Sequence, residues 1–227
     1  MKSSALRNLK VLITAGATRE YIDPIRFISN ASSGKMGVAM AQEALDRKAK
    51  VTIVWGKGTA KLPKNAKVIN VETTKEMCRV VVKELKEENY DVFVATAAAA
   101  DYTPVKKKES KIPSKQKGLV IPLKPTPKVI ERARKVAPRV FICAFKAEVN
   151  VSKKMLIEKA YNRLKEVELD LMVSNDIGKE GCGFGVDTNE VYIINSTKKI
   201  VHLAINTKQK IAAGVWDVIY SKIKEER

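Results

Sequence analysis

Histidine and cysteine, the side chains most often used to hold transition metals, are scarce in this sequence: one histidine, His202, and three cysteines, Cys78, Cys143 and Cys182, in 227 residues. The cysteines are odd in number, far apart and never in C-x-x-C spacing, which argues against both a disulfide framework and a zinc site. With His202 set in the run KIVHLAIN near the end of the chain, neither a Ser/His/Asp triad nor a Cys/His pair can be assembled. Covalent catalysis by a side chain is therefore disfavoured, and chemistry by positioning and charge neutralisation is favoured. Long apolar runs are missing too. Nothing approaches the roughly 18 residues that a membrane span requires, and MKSSALRNLK lacks the apolar centre of a signal peptide. A cytoplasmic protein with no membrane partner is expected.

What the sequence has in excess is positive charge. Lys and Arg number 43 against 25 Asp and Glu, a net of +18. Such a balance fits nucleic acid, or small and strongly anionic substrates drawn into a positive cleft. Much of it lies on stretches such as KEMCRVVVKELKEEN, where glutamates interleave with the basic residues as on an ordinary solvated helix face. A hydrophobic fraction of 45% rules out a disordered chain, and the length suits one α/β domain spanning 1–227.

Apolar runs alternate with helical patterns. KVLITAG (10–16), VTIVWG (51–56), KVINV (67–71), DVFVATAAAADY (91–102), RVFICAF (139–145) and LDLMVSND (169–176) read as strands. Helices are expected near 34–49, 74–88, 127–137, 152–166 and 207–224. This rhythm implies βαβ units and a mostly parallel sheet, a three-layer Rossmann-like fold. It lapses at 103–124, a stretch with seven lysines and several prolines that is expected to be a linker or a functional flap. NEVYIIN and KIVHLAIN, joined by a turn, predict a β-hairpin over 189–206 before the last helix.

In open parallel sheets ligands bind beyond the C-terminal ends of the strands. The segments there are GATRE, AAAADY, AFKAE and SNDIGKEGCGFGVDTNE. NASSGKMG (30–37) lies where a loop becomes a helix, which favours an anion. It fits neither familiar glycine template: a Walker loop would need glycine at Ser29 and Ser or Thr at Met36, and a dinucleotide fingerprint would need glycine at Ser32. Two readings stay open for Ser32, Ser33, Gly34 and Gly37, a phosphate site or a helix cap with close helix–sheet packing. Asp101 likewise either orients a ligand hydroxyl or metal, or caps a turn. Phe145 is either core or a platform for a flat ring, and Asn175 either structural or a reader of base or ribose. Of the flap lysines 106, 107, 108, 111 and 115, one closing over a phosphate is plausible, and the rest read as solvated.

The blocks TAGATREYIDPIRFISNASSGKMG, AAAADY followed ten residues beyond its Asp by the lysine of ESKI, AFKAE, LDLMVSND and GFGVDTNEV carry a resemblance. In that order and spacing they resemble phosphopantothenoylcysteine synthetases, over nearly the whole chain. The resemblance implies a ligase of coenzyme A biosynthesis in which a nucleoside triphosphate with Mg2+ activates 4'-phosphopantothenate as an acyl-nucleotidylate. Pyrophosphate leaves, and cysteine then displaces the nucleoside monophosphate. It favours CTP over ATP, and a homodimer. Carried over by position, Gly16, Ser32, Gly34, Gly37, Asp101, Lys111, Phe145, Arg163, Lys165 and Asn175 would hold the nucleotide. Arg26, Asn30, Ala97, Ala98 and Asp101 would receive phosphopantothenate, with Arg26 reaching across the dimer. Asn30 and Lys111 would be the catalytic pair. The sequence departs from the family at Thr126, Pro127 and Lys128, where relatives read NPD, and at Ala144. Arg163 and Val167 stand where lysines are expected, with Lys165 a substitute for the second. Many relatives are fused to a flavin-dependent decarboxylase; none is present in these residues, so the resemblance implies no flavin and a separate decarboxylase. The competing expectations are an NAD(P) oxidoreductase on the same fold and a basic nucleic-acid-binding module.

Overall fold

The computed structural model describes residues 6–115 and 118–226. Positions 116 and 117, within the expected flap, lie outside it. Strands β1 (Lys10–Ala15), β2 (Arg19–Tyr21) and β3 (Phe27–Ser29) precede helix α1 (Lys35–Asp46). Then come β4 (Lys50–Trp55), β5 (Lys67–Asn70), α2 (Thr74–Glu87), β6 (Val92–Ala95), β7 (Tyr102–Pro104), β8 (Leu123–Pro125) and α3 (Val129–Val136). The chain continues through β9 (Phe141–Glu148), α4 (Lys153–Val167), β10 (Leu171–Asp176), β11 (Thr188–Asn195), β12 (Ile200–Thr207) and α5 (Lys208–Glu226).

One sheet of eight strands runs in the order β12-β11-β10-β9-β6-β1-β4-β5. Its pairs from β10 to β5 are parallel, and the β11–β12 hairpin adds two antiparallel strands at one edge. Alternation along β1 sorts the core into two faces. Val11, Ile13 and Ala15 pack with α1 and α5 around Met40, Trp216 and Ile219, while Leu12 faces α2, α3 and α4 with Met77, Val81 and Leu164. The result is the three-layer α/β Rossmann-like fold expected from the alternation.

Local chemistry sets the helix ends. Thr73 and Glu76 form a reciprocal capping box at the start of α2, and Ser152 caps α4 by accepting from Met155 N–H. Helix α1 ends at Asp46, before the expected 49, because Lys48 turns to φ 73°. In the other direction β9 outruns its apolar core: it stays paired with β10 as far as Glu148↔Asp176, so Phe145 and Lys146 are strand residues.

Two short ribbons were not foreseen. β2 pairs antiparallel with β3, and β7 with β8, the second pair joining the two ends of the expected flap. Each strand is three residues long, too short to show a period, and exposed apolar residues such as Phe27 and Leu123 disguise it further. The run 91–102 also yields less strand than it promised. β6 stops at Ala95, and the alanines beyond it form bonds such as Ala98 N–H to Gly16 O at 2.9 Å outside the regular sheet.

Candidate active site

The sheet order reverses between β1 and β6: from β1 the chain steps to β4 and β5, then returns to β6 on the other side. A cavity of about 960 Å3 opens at that switch point, over the C-terminal ends of β1, β6, β9 and β10. Thr14 and Ala95–Ala100 line its floor, the start of α1 one wall, Thr126–Ile130 another, and Phe145, Arg163 and Asn175 a third.

At the α1 wall, Gly34 is the N-cap with φ 79°, and Val38 is the first N–H to find a helical carbonyl, that of Gly34 at 3.0 Å. The amides of residues 35 to 37 therefore precede the helix ladder and point out of its positive end. Neither glycine is optional for packing. A Cβ at Gly34 would lie 2.4 Å from the Trp55 ring, and one at Gly37 would lie 2.4 Å from both Ala15 Cβ and Thr96 Oγ1. Of the readings of NASSGKMG, close helix–sheet packing is met at both glycines, while no serine side chain caps the helix; Lys35 N–H donates to Ser33 Oγ at 3.4 Å, short of any helical carbonyl. Ser32 Oγ accepts from Gly34 N–H at 3.3 Å without capping the helix itself. Gly16, φ 79°, lies just below and does not line the cavity; its own Cβ would meet Lys57 O at 2.8 Å.

Asn30 is exposed and donates from Nδ2 to the carbonyls of Ala98 (3.1 Å) and Ala99 (3.3 Å), tying the phosphate-loop candidate to the alanine segment. That segment is held from below by buried hydroxyls. Thr74 and Thr126 donate to Ala100 O at 3.1 and 2.6 Å, and Thr18 Oγ accepts Ala100 N–H at 2.8 Å. Ala97 and Ala98 so form a shelf of backbone with no bulk above it. Asp101, the carboxylate among the described lining residues, pairs with Lys128 at 2.5 Å. The departure at 126–128 therefore supplies both a shelf support and the partner of Asp101.

On the opposite wall Arg163 is bound to Glu131 (2.6 Å) and Glu166 (2.8 Å). Asn175 is buried and donates to Asn189 Oδ1 at 3.1 Å. Lys165 is exposed on α4 and does not line the cavity, and Val167 is buried in the core. Arg26 and Lys111 also stay off the cavity wall. Arg26 bonds to Asp23 and to Ile112 O, and Lys111 is exposed on the flap beside the buried Ile112.

Thr14, Thr74, Thr96, Lys146, Asn189 and Lys208 line the cavity without having been singled out from the sequence, and Lys208 is the unusual one. Lys208, at the start of α5, is only 5% exposed and lines the cavity next to Lys35 and Phe184. Burial first, then the neighbouring Lys35 charge, lower its pKa. The Asp187 pKa is lowered too, by the hydrogen bond and charge of Lys35, which for a carboxyl favours the charged form. A lone lysine among 43 basic residues gives no sign of burial in the sequence.

Comparison with known proteins follows the same geometry. Residues 6–223 match the DNA/pantothenate metabolism flavoprotein C-terminal domain. The coenzyme A biosynthesis bifunctional protein CoaBC of Thermococcus kodakarensis is 43% identical over 218 residues, 95% of this chain and 52% of that protein. The chain thus spans about half the length of the curated relatives it matches. The solved C-terminal domain of a CoaBC protein superposes with TM-score 0.81 at 30% identity, covering 98% of this chain and all of that one. A Cab2 mutant solved with phosphopantothenate-cysteine shares the fold, with TM-score 0.76 at 17% identity over 97% of this chain and 89% of its own.

Proposed function

The chain belongs to the DNA/pantothenate metabolism flavoprotein C-terminal domain family, and on that premise we propose that it is the ligase that joins 4'-phosphopantothenate to cysteine, using CTP. The observation that carries this reading is the cavity itself. One chamber combines a helix N-terminus for phosphates, a bare alanine shelf beside Asn30, and the Phe145 face. A dehydrogenase or a nucleic-acid-binding module has no comparable support.

In this reading the carboxylate of phosphopantothenate lies on the Ala97–Ala98 shelf, oriented by Asn30, and attacks the α-phosphorus of CTP. The bond to the bridging oxygen breaks, pyrophosphate leaves, and an acyl-cytidylate remains. The amine of cysteine then attacks the acyl carbon, loses a proton and expels CMP. Neither step needs a side-chain nucleophile. Each needs negative charge to be held in place, which the amides of residues 35 to 37 and the cation-rich walls supply. Phe145 and Asn175 would hold the nucleotide, with Arg163 on the same wall. Lys111, exposed on the flap beside Ile112, is assigned to the acyl intermediate.

Magnesium, carried on the triphosphate, would neutralise charge as pyrophosphate departs. Among the described residues no group of three His, Cys, Asp or Glu could cage a metal, so the ion would be held mainly by phosphate oxygens, with Asp101 the carboxylate the lining offers it. Nothing in the two steps calls for a flavin. A flavin-dependent decarboxylase would take the product onward.

Purified protein given Mg2+, CTP, phosphopantothenate and cysteine is expected to release pyrophosphate and CMP in equal amounts, and to release no pyrophosphate when phosphopantothenate is left out. Initial rates should be higher with CTP than with ATP. Absence of phosphopantothenate-dependent pyrophosphate with either nucleotide would overturn the proposal, and faster turnover with ATP would overturn the choice of nucleotide.

A further inference from the structure

Five consecutive carbonyls, from Gly183 to Asp187, are each taken by a donor from the start of α1 or the start of α5. Ser33 Oγ donates to Phe184 O at 2.6 Å, and Lys35 Nζ to Gly185 O at 2.9 Å. Lys208 Nζ donates to Gly183 O at 3.3 Å and to Val186 O, while Lys208 N–H donates to Asp187 O at 2.8 Å. The glycines of GCGFGVD let the backbone turn its oxygens inward in this way. The loop is therefore fastened along its length to two cations and a helix N-terminus.

Carbonyls satisfy the donors of an ammonium, but they do not cancel its charge. A buried lysine ordinarily has a carboxylate against it, because an uncompensated buried charge is costly. Lys208 is only 5% exposed, and the carboxylate whose charge acts on it, that of Asp187, forms its ion pair with Lys35 at 2.7 Å while remaining largely in solvent. Two ammonium groups thus share one exposed carboxylate, on the cavity wall that the start of α1 also lines. A missing counter-charge at a cavity wall is where a ligand's charge belongs.

We infer that Lys208 is an anion-binding residue of this cavity, its ammonium holding the terminal phosphates of the nucleoside triphosphate, and then the pyrophosphate, against the start of α1. The identity of the nucleotide rests on the function proposed above; the anion site does not. The lowered pKa of Lys208 agrees with the geometry, since a bound polyanion would remove the electrostatic penalty of burial beside Lys35. The bland alternative is that Lys208 merely tethers the loop through its two carbonyl bonds.

The two are separated by equilibrium binding of CTP, CMP and inorganic pyrophosphate to the full chain and to its Lys208→Met, Lys208→Gln and Lys208→Arg variants, alongside thermal melting. Charge-assisted hydrogen bonds to an anion predict that Lys208→Met and Lys208→Gln each weaken CTP and pyrophosphate by about 10- to 100-fold. CMP, which lacks the terminal phosphates, should keep its affinity, and Lys208→Arg should recover most of the loss. Gln retains a donor for the carbonyls without the charge, so triphosphate affinity restored by Gln would overturn the inference in favour of a tether. Unchanged CTP and pyrophosphate affinity in Met and Gln, or equal losses for CTP and CMP, would overturn it too. Should Lys208→Met not fold, the comparison of Gln with Arg decides. Wild-type protein that binds pyrophosphate but no nucleotide would overturn the proposed function alone, leaving the pyrophosphate arm to judge Lys208; protein that binds neither would overturn both.

Discussion

The Arg26 guanidinium donates to the Ile112 carbonyl at 3.0 Å, while the Asp23 carboxylate accepts the Ile112 N–H at 3.1 Å. Both polar groups of one flap residue are thereby held by the turn between β2 and β3, one position from Lys111. Asp23 is fully buried and also accepts the N–H groups of Ile25 and Arg26 at 2.9 and 2.8 Å. The flap is anchored at this point, and Lys111 projects from the anchor rather than from a free loop.

The first prediction concerns Asp23. Burial alone would raise its pKa, but the backbone N–H groups of Ile25, Ile112 and Arg26 and the Arg26 charge outweigh that and leave it lowered. A lowered folded pKa means that the unfolded chain takes up protons first as pH falls. The anchoring is then complete above the ordinary Asp value of about 3.9 and disappears as pH falls through the lower folded value. Asp23→Asn should be less stable to urea at pH 7, with faster tryptic cleavage at flap lysines, and its deficit should shrink only below about pH 4. A deficit that is constant from pH 7 to pH 3 would contradict the role of the charge.

Lys111 tests the assignment of the flap to the second chemical step. If the flap lysine assists the acyl intermediate, Lys111→Gln should still release pyrophosphate in a single turnover. Amide formation should drop by about 100-fold, the scale of losing one charge-stabilising donor. Rapid-quench measurement of both products checks this, and equal loss of the two would remove Lys111 from the second step.

How far the molecule was legible in the sequence follows from the length of each signal. The strands of the large sheet and all five helices carry runs long enough to show a period, so the layers and the terminal hairpin were readable. A three-residue strand such as Phe27–Ser29 shows none, and its pairing depends on Arg19 and Tyr21 across a turn that Asp23 organises. At Gly34 and Gly37 close helix–sheet packing was one of two readings the sequence left open, and that the neighbours are Trp55 and Ala15 depends on the fold. Lys208 was not legible: burial of a lysine depends on a loop 25 residues earlier wrapping back over it, as Gly183 does. Nor was the Asp101–Lys128 pair, which joins residues 27 apart across the flap.

The glycine argument carries its own prediction. Gly37 has no unusual φ, yet a Cβ there would press on Ala15 and Thr96 at the end of β1. Gly37→Ala should cost about 1–3 kcal/mol by overpacking, lowering the melting temperature of the ligand-free protein by roughly 2–4 °C per kcal/mol for a chain of this size. Gly34→Ala should be worse, since it adds a left-handed φ to a clash with the Trp55 ring. An unchanged melting temperature for both variants would show that these glycines serve the ligand alone.

The last prediction concerns assembly. The β2–β3 turn and the flap ribbon expose Ile25, Phe27, Tyr102, Val105 and Leu123, each more than a third accessible. β2 lies against β7, so these residues belong to one region. Apolar side chains gathered at one place on an otherwise highly charged surface mark a contact, and a second copy of the chain, meeting face to face across a two-fold axis, is the partner we propose. Such a dimer would bring the Arg26 turn of one protomer towards the flap of its partner, coupling assembly to the site. Ile25→Asp with Val105→Asp should therefore halve the mass measured by light scattering while leaving the circular dichroism spectrum intact, and should depress ligation with it. A wild-type chain that already scatters as a monomer, or a double variant that keeps the dimer mass, would show that this face does not mediate self-association.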